Sequence, residues 1–197
     1  MKLFRYLFLA VCAAFLPLSC STTKSGPAQA PDKAVYITDK KQIQLLPPEC
    51  MDGHYAALQL FSGSFGTNSF ISQIYLECSK TQISALLFNE FGIEMGSLSY
   101  KSGNVSFESS YFPKDLKAAY IIADLQNVYY DVPALEKNYA GAGLCFTRTA
   151  TKDGSETRIV QDGDYIVELI TVSPSRKEIS IQNFLRGYSY HLEELDD

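Results

Sequence analysis

Pro113-Lys-Asp-Leu-Lys-Ala-Ala-Tyr-Ile-Ile-Ala-Asp-Leu-Gln-Asn-Val-Tyr129 is the stretch that decides the fold. Pro113 suits the first position of a helix, and Asp115 favours its positive end. Leu116, Ala119, Tyr120 and Ala123 recur at helical spacing, and a second stripe, Ala118, Ile122, Leu125 and Tyr129, adjoins the first. The spacing predicts a helix over about 114–129 with a broad apolar face. Pro133 opens a shorter helix, Ala134 to Tyr139, which Gly141-Ala-Gly143 ends.

Outward from this helical pair the period changes. Before it, Tyr55 to Phe61, Phe70 to Glu77, Gln82 to Phe88, Gly96 to Tyr100 and Val105 to Ser109 are rich in aromatic and β-branched residues. Turn residues separate them at Ser62-Gly-Ser64, Gly66-Thr-Asn68, Cys78-Ser-Lys80 and Lys101-Ser-Gly-Asn104. The last reads as a hairpin tip. After the pair, Leu144 to Ala150, Thr157 to Gln161, Asp164 to Val172, Glu178 to Phe184 and Tyr188 to Leu192 return to the β pattern. The prediction is a mainly β, α+β domain. It consists of an antiparallel curved sheet, an open half-barrel, with a two-helix insertion.

Several strands are apolar on both faces. Ile83, Ala85 and Leu87 point one way in the third strand, and Leu86 and Phe88 point the other. An antiparallel sheet with one wet face alternates cleanly. Two explanations follow: helix cover on one side, or a concave face that lines a hollow for an acyl chain. On the second, the lining residues are Ile74, Ile83, Leu87, Leu116, Tyr120, Ile122 and Tyr129. Tyr111, Tyr120, Tyr129, Tyr130 and Tyr139, on or beside the helical insert, then edge its mouth with their hydroxyls.

The amino-terminal end carries its own signal. Lys2 and Arg5 head an apolar run, Leu7 to Leu18, that closes on Ser19 and Cys20. The segment reads as a secretory signal over residues 1–19, too short to span a bilayer, which takes about 20 apolar residues. It resembles a bacterial lipoprotein signal cleaved before Cys20, so that the thiol carries the lipid. Pro17 departs from that pattern by standing where leucine is usual. Two or more acyl chains hold a protein stably on a membrane. Ser21, where an aspartate would resemble an inner-membrane retention signal, points to the outer membrane, facing the periplasm. Residues 20–45, small, polar and proline-bearing at first, read as lipid anchor and flexible tether. Residues 46–197 then form the folded domain.

Composition excludes several function classes. Loss of Lys2 and Arg5 from the 17 basic residues leaves 15 against 22 acidic ones, a formal charge of −7. No basic cluster is present to hold phosphates, which excludes nucleic acid. Past Cys20 stand Cys50, Cys78 and Cys145, an odd number whose pairing the spacing leaves open. With two histidines, His54 and His191, no metal site and no cofactor are expected. Ser62-Gly-Ser64 lacks the strand–helix context of a nucleophile elbow, and no phosphate loop or dinucleotide fingerprint occurs. No catalytic residues are assigned.

Taken in order, Gly63 to Phe65, the hairpins to Phe107, Asp115 to Gln126, Gly141-Ala-Gly-Leu144, Tyr165-Ile-Val-Glu168 and Ile179 to Glu193 carry a resemblance. Together they resemble a bacterial lipoprotein family whose genes often stand beside fatty-acid-like synthesis clusters for aryl-polyene pigments. That family is similar in fold to the LolA and LolB lipoprotein-localisation proteins, open half-barrels with helices plugging a hydrophobic hollow. The resemblance spans roughly Pro47 to Leu195 and brings no catalytic residues. It implies a membrane-anchored periplasmic lipoprotein that binds or hands on a lipidic molecule. The alternative is a non-catalytic structural or interaction lipoprotein with a filled core and an envelope protein as partner. Cavity volume separates the two.

Overall fold

A computed structural model describes residues 34–109 and 117–195. The signal, Cys20 and the tether up to residue 33 lie outside the described residues, as do Tyr111 and Leu116. After a ribbon of β1 (Ala34–Tyr36) and β2 (Gln42–Gln44), the strands before the helices are β3 (Tyr55–Phe65), β4 (Asn68–Cys78), β5 (Gln82–Phe88), β6 (Glu94–Lys101) and β7 (Asn104–Ser109). Helices α1 (Ala118–Tyr129) and α2 (Val132–Gly141) follow. The chain then continues through β8 (Cys145–Ala150), β9 (Glu156–Asp162), β10 (Tyr165–Val172), β11 (Glu178–Asn183) and β12 (Tyr188–Glu194).

Ten strands make one antiparallel sheet, ordered β7-β6-β5-β4-β3-β12-β11-β10-β9-β8. The two halves of the sequence meet where β12 pairs with β3, with Tyr190 opposite Gly63. The end strands β7 and β8 do not pair, so the sheet stays open. Its curvature shows in the helix contacts: α1 touches β7 at one edge and α2 touches β8 at the other. The predicted order of five strands, two helices and five strands is the order found.

Alternation assigns the faces. Ile74 and Leu76 of β4, Ile83, Ala85 and Leu87 of β5, and Leu98 and Tyr100 of β6 point inward. From the other half come Val160, Ile170, Val172, Ile179, Ile181 and Leu192. Onto this face α1 lays Ile122, Ala123, Leu125, Val128 and Tyr129, and α2 lays Leu135 and Tyr139, in one continuous core. Each such side chain contributes on the order of 1.5–3 kcal/mol of burial. Asp131 caps α2, its Oδ2 accepting the Ala134 N–H at 3.2 Å, with Pro133 in the first turn.

Three local expectations are corrected. Residues 34–45, read from the sequence as the end of a tether, are structured: Val35, Ile43 and Leu45 are buried in the core. The side-chain amide of Gln126 then exchanges two bonds with the Leu46 backbone, at 3.0 and 2.8 Å, as a neighbouring strand would. Ser62-Gly-Ser64 is no turn. It lies within β3, which runs on to a single tip at Gly66-Thr67. A Cβ on Gly63 would sit 2.7 Å from the Phe70 ring and 2.7 Å from the Ser189 carbonyl, so glycine there serves close packing across strands. Helix α2 is longer than predicted at both ends. The β6–β7 tip is as predicted: Ser102 and Gly103 both take positive φ, 51° and 76°, as a two-residue hairpin turn requires.

Candidate functional site

The described residues carry two features that packing alone does not account for. The first lies under α1. Asp124, on the buried side of that helix, shares a hydrogen bond with Glu168 of β10, and both carboxyls are sealed from solvent. The Tyr188 hydroxyl lies 3.0 and 2.9 Å from the two Asp124 oxygens. Two side-chain amides donate to Glu168, Asn127 at 2.9 Å and Asn183 at 3.2 Å. Tyr139 of α2 donates to the Asn127 oxygen at 2.9 Å. The network ties both helices to β10, β11 and β12.

Burial, then the neighbouring Glu168 charge, holds the Asp124 carboxyl well above the usual range. Burial raises Glu168 as well, opposed by the amides of Asn127 and Asn183. Those two donors favour the charged form of Glu168, so of the pair Asp124 holds a proton the more strongly. Nearby, Arg158 is almost wholly buried, donating to the Asn127 carbonyl at 2.9 Å and through two nitrogens to Glu156 at 3.0 and 2.9 Å.

Beside the acid pair is a cavity of about 10 Å³, bounded by the β1–β2 ribbon, α1, β10 and β12. That is room for about one water. Arg186 closes its mouth, stacked 4.5 Å over the Tyr120 ring and donating to the Tyr36 carbonyl. This cavity is too small for an acyl chain.

The residues proposed from sequence as hollow-lining are distributed accordingly. Ile74, Ile83, Leu87, Ile122 and Tyr129 are packed in the core, away from this cavity. Tyr120, half-buried, stands at its edge. Tyr130 is buried; Tyr139 is buried and joins the cavity wall. Asp124 and Glu168 were not singled out from sequence. The available signal was polar Asp124 and Asn127 on the same helix stripe as Tyr120.

The second feature is the end of the sheet where β3 turns into β4. Among the described residues eleven large apolar side chains are exposed, and nine of them lie at this end. Phe65, 61% exposed, and Ile71, 75%, belong to the β3–β4 hairpin; Phe91, 78%, and Ile93 form the β5–β6 tip. Tyr165 and Ile166 begin β10 after the β9–β10 turn, and Phe184 and Leu185 make the β11–β12 turn. Tyr36 joins them through Arg186.

Pairing fixes their common side. Tyr188 opposes Phe65, the Gly66 N–H reaches the Gly187 carbonyl at 3.4 Å, and the Phe184 N–H reaches the Val167 carbonyl at 2.9 Å. Phe88 opposes Gln73, and β5 runs on toward the β3–β4 tip. The opposite end is polar throughout: Ser79-Lys-Thr81, Ser102-Gly103, Thr151 to Ser155 and Ser173 to Lys177. The other two exposed apolar residues, Leu58 and Tyr75, oppose each other on the outer sheet face, which neither helix covers.

The remaining candidates are dispersed. His191 Nδ1 lies 3.0 Å from Ser180 Oγ, as a cross-strand pair on the outer face. His54 is exposed, 3.9 Å from Glu77. Cys50, Cys78 and Cys145 are free thiols, and burial raises the Cys78 thiol far above the usual range. No group of three or more potential metal ligands occurs among the described residues, and none of their helices is long and apolar enough to cross a membrane.

Residues 56–196 match the family described as Protein of unknown function (DUF3261), and the chain belongs to that family. No curated protein matches the chain.

Proposed function

We propose that this chain is a lipid-anchored protein of the bacterial cell envelope, held through an acylated Cys20 on the outer membrane and facing the periplasm. Its folded body acts by surface contact, with lipid or an envelope partner. One contrast carries this reading. Among the described residues the helices pack onto the inner face with a cavity of about 10 Å³ beside them, while nine large apolar side chains stand exposed at one end of the sheet.

A second reading keeps the LolA/LolB-like half-barrel as a carrier of an acyl chain. It is favoured by the place of the cavity, between α1 and the ribbon, where displacement of one helix would open the concave face. A twelve-carbon chain there would gain about 9 kcal/mol at about 0.8 kcal/mol per CH₂, before ordering costs and the loss of α1 contacts reduce it.

Two measurements test the proposal. Labelled palmitate should enter the wild-type protein and not Cys20→Ser; label retained by the variant contradicts the anchor. Native mass spectrometry of the Cys20→Ser protein should show the bare chain. A lipid retained at one per chain overturns the filled-core reading in favour of the carrier.

A further inference from the structure

We propose that the apolar end of the sheet is a membrane-docking surface, which inserts its hairpin tips into the interfacial layer of the bilayer to which the chain is tethered. The partner follows from shape, charge and reach. The apolar side chains sit on separate turns, Phe65, Phe91, Phe184 and Tyr165 each crowning a different hairpin. They stand on separate turns, and a fluid interface conforms to separate points. Aromatic residues at such tips favour the depth of the headgroups.

Charge does not hold the contact. The turns that carry the apolar tips also carry Glu90, Asp162, Asp164 and Arg186, of which Asp162 is paired with Lys41 at 2.5 Å. This is not the basic surface that anionic lipid would attract, so apolar insertion has to hold the contact.

Reach is set by the chain. Ala34 stands fourteen positions after Cys20, a stretch that spans at most about 50 Å when extended. The first strand then delivers Tyr36 to the apolar end itself. A tether of that length keeps the tips at an effective concentration on the order of millimolar over the membrane, where weak insertion suffices.

The inference rests on the anchored reading, and its test separates the two. The mature chain, residues 20–197 carrying Cys20→Ser, is mixed with phosphatidylcholine vesicles, with and without phosphatidylglycerol, and floated on a gradient. The protein should float with both, with little change between low and high salt. The pairs Phe91→Ser with Ile93→Ser, and Phe184→Ser with Leu185→Ser, should each weaken flotation about tenfold or more with melting unchanged. Single Phe91→Ser, at a side chain 78% exposed, serves if a pair fails to fold. Leu58→Ser with Tyr75→Ser, on the outer face, should leave flotation intact.

No flotation overturns the proposal. So does flotation that the tip substitutions leave unchanged, or that salt abolishes. Self-association lost in the same variants, without flotation, assigns the surface to a second copy instead. Palmitate on wild-type Cys20 with no flotation of the variant removes the docking surface alone. Flotation with no palmitate removes the anchor alone.

Discussion

The Tyr188 hydroxyl of β12 lies within 3.0 Å of both carboxyl oxygens of Asp124 on α1, inside a buried polar network between helix and sheet. Burial and the neighbouring Glu168 carboxyl, against the pull of this bond, hold the Asp124 pKa well above the usual range at the seam between helix and sheet. The bonds that surround it give the two acids different tolerances.

Asp124→Asn preserves the neutral, donating form and should fold as well as the wild type. Glu168→Gln turns an amide toward the Asn127 or Asn183 donors, stranding a buried group at a cost of about 1–3 kcal/mol. The pH dependence has a definite sign. The folded pKa of Asp124 is raised, so the folded state holds a proton that the unfolded chain releases. Stability is therefore full below the usual carboxylate range and declines as pH rises through the raised value. Melting between pH 5 and pH 9 should fall in the wild type and flatten in Asp124→Asn. A steeper fall in the variant would contradict the assignment.

Arg158 and Glu156 behave in the opposite sense. The bond from Arg148, and those from Arg158, draw the Glu156 pKa down to about 2. Its contribution is present above the usual 4.5 and is lost as pH falls toward about 2. Glu156→Gln leaves the buried Arg158 cation without its counter-charge and should cost about 3–5 kcal/mol. Urea unfolding at pH 7 measures it; a loss under about 1 kcal/mol would show that the Asn127 carbonyl suffices.

Ile74, central in β4 and nearly sealed, tests the register. Ile74→Asp puts an unpaired carboxylate under α1 and should prevent folding, or cost about 4 kcal/mol or more. Soluble protein with unchanged melting would place the strand the other way round.

Gly63→Ala tests the close approach of Phe70 and Ser189. Both lie 2.7 Å from the added methyl, one of them backbone that cannot swing aside, so a loss of about 1–3 kcal/mol is expected. Unchanged melting would mean the strands separate without cost.

Most of the fold is legible in the sequence because each element repeats one local rule. The switch of period at residues 114–129, the Ser102-Gly103 turn and Pro133 with Asp131 need only near neighbours. Gly63 misleads for the opposite reason: the residue that demands a glycine, Ser189, is 126 positions away. The ribbon at 34–44 is hidden because polar Gln42 and Gln44 flank Ile43, and only docking on the core shows that Val35 and Ile43 are buried. The acid pair is hidden too, since Asp124 and Glu168 meet only when helix and sheet do. The apolar tips are written plainly, in Asn89-Glu-Phe-Gly-Ile93 and Phe184-Leu-Arg-Gly187. Their placement at one end depends on strand direction, which local composition does not supply.

Amide hydrogen exchange of the mature chain, residues 20–197 carrying Cys20→Ser, with and without phosphatidylcholine vesicles, tests the central claim most directly. A filled body that works through its apolar end should gain protection at residues 65–68, 89–93, 162–166 and 184–187, while α1 exchanges as before. Protection lost or gained chiefly in α1, with those turns unchanged, would contradict it and show that lipid enters beneath the helix.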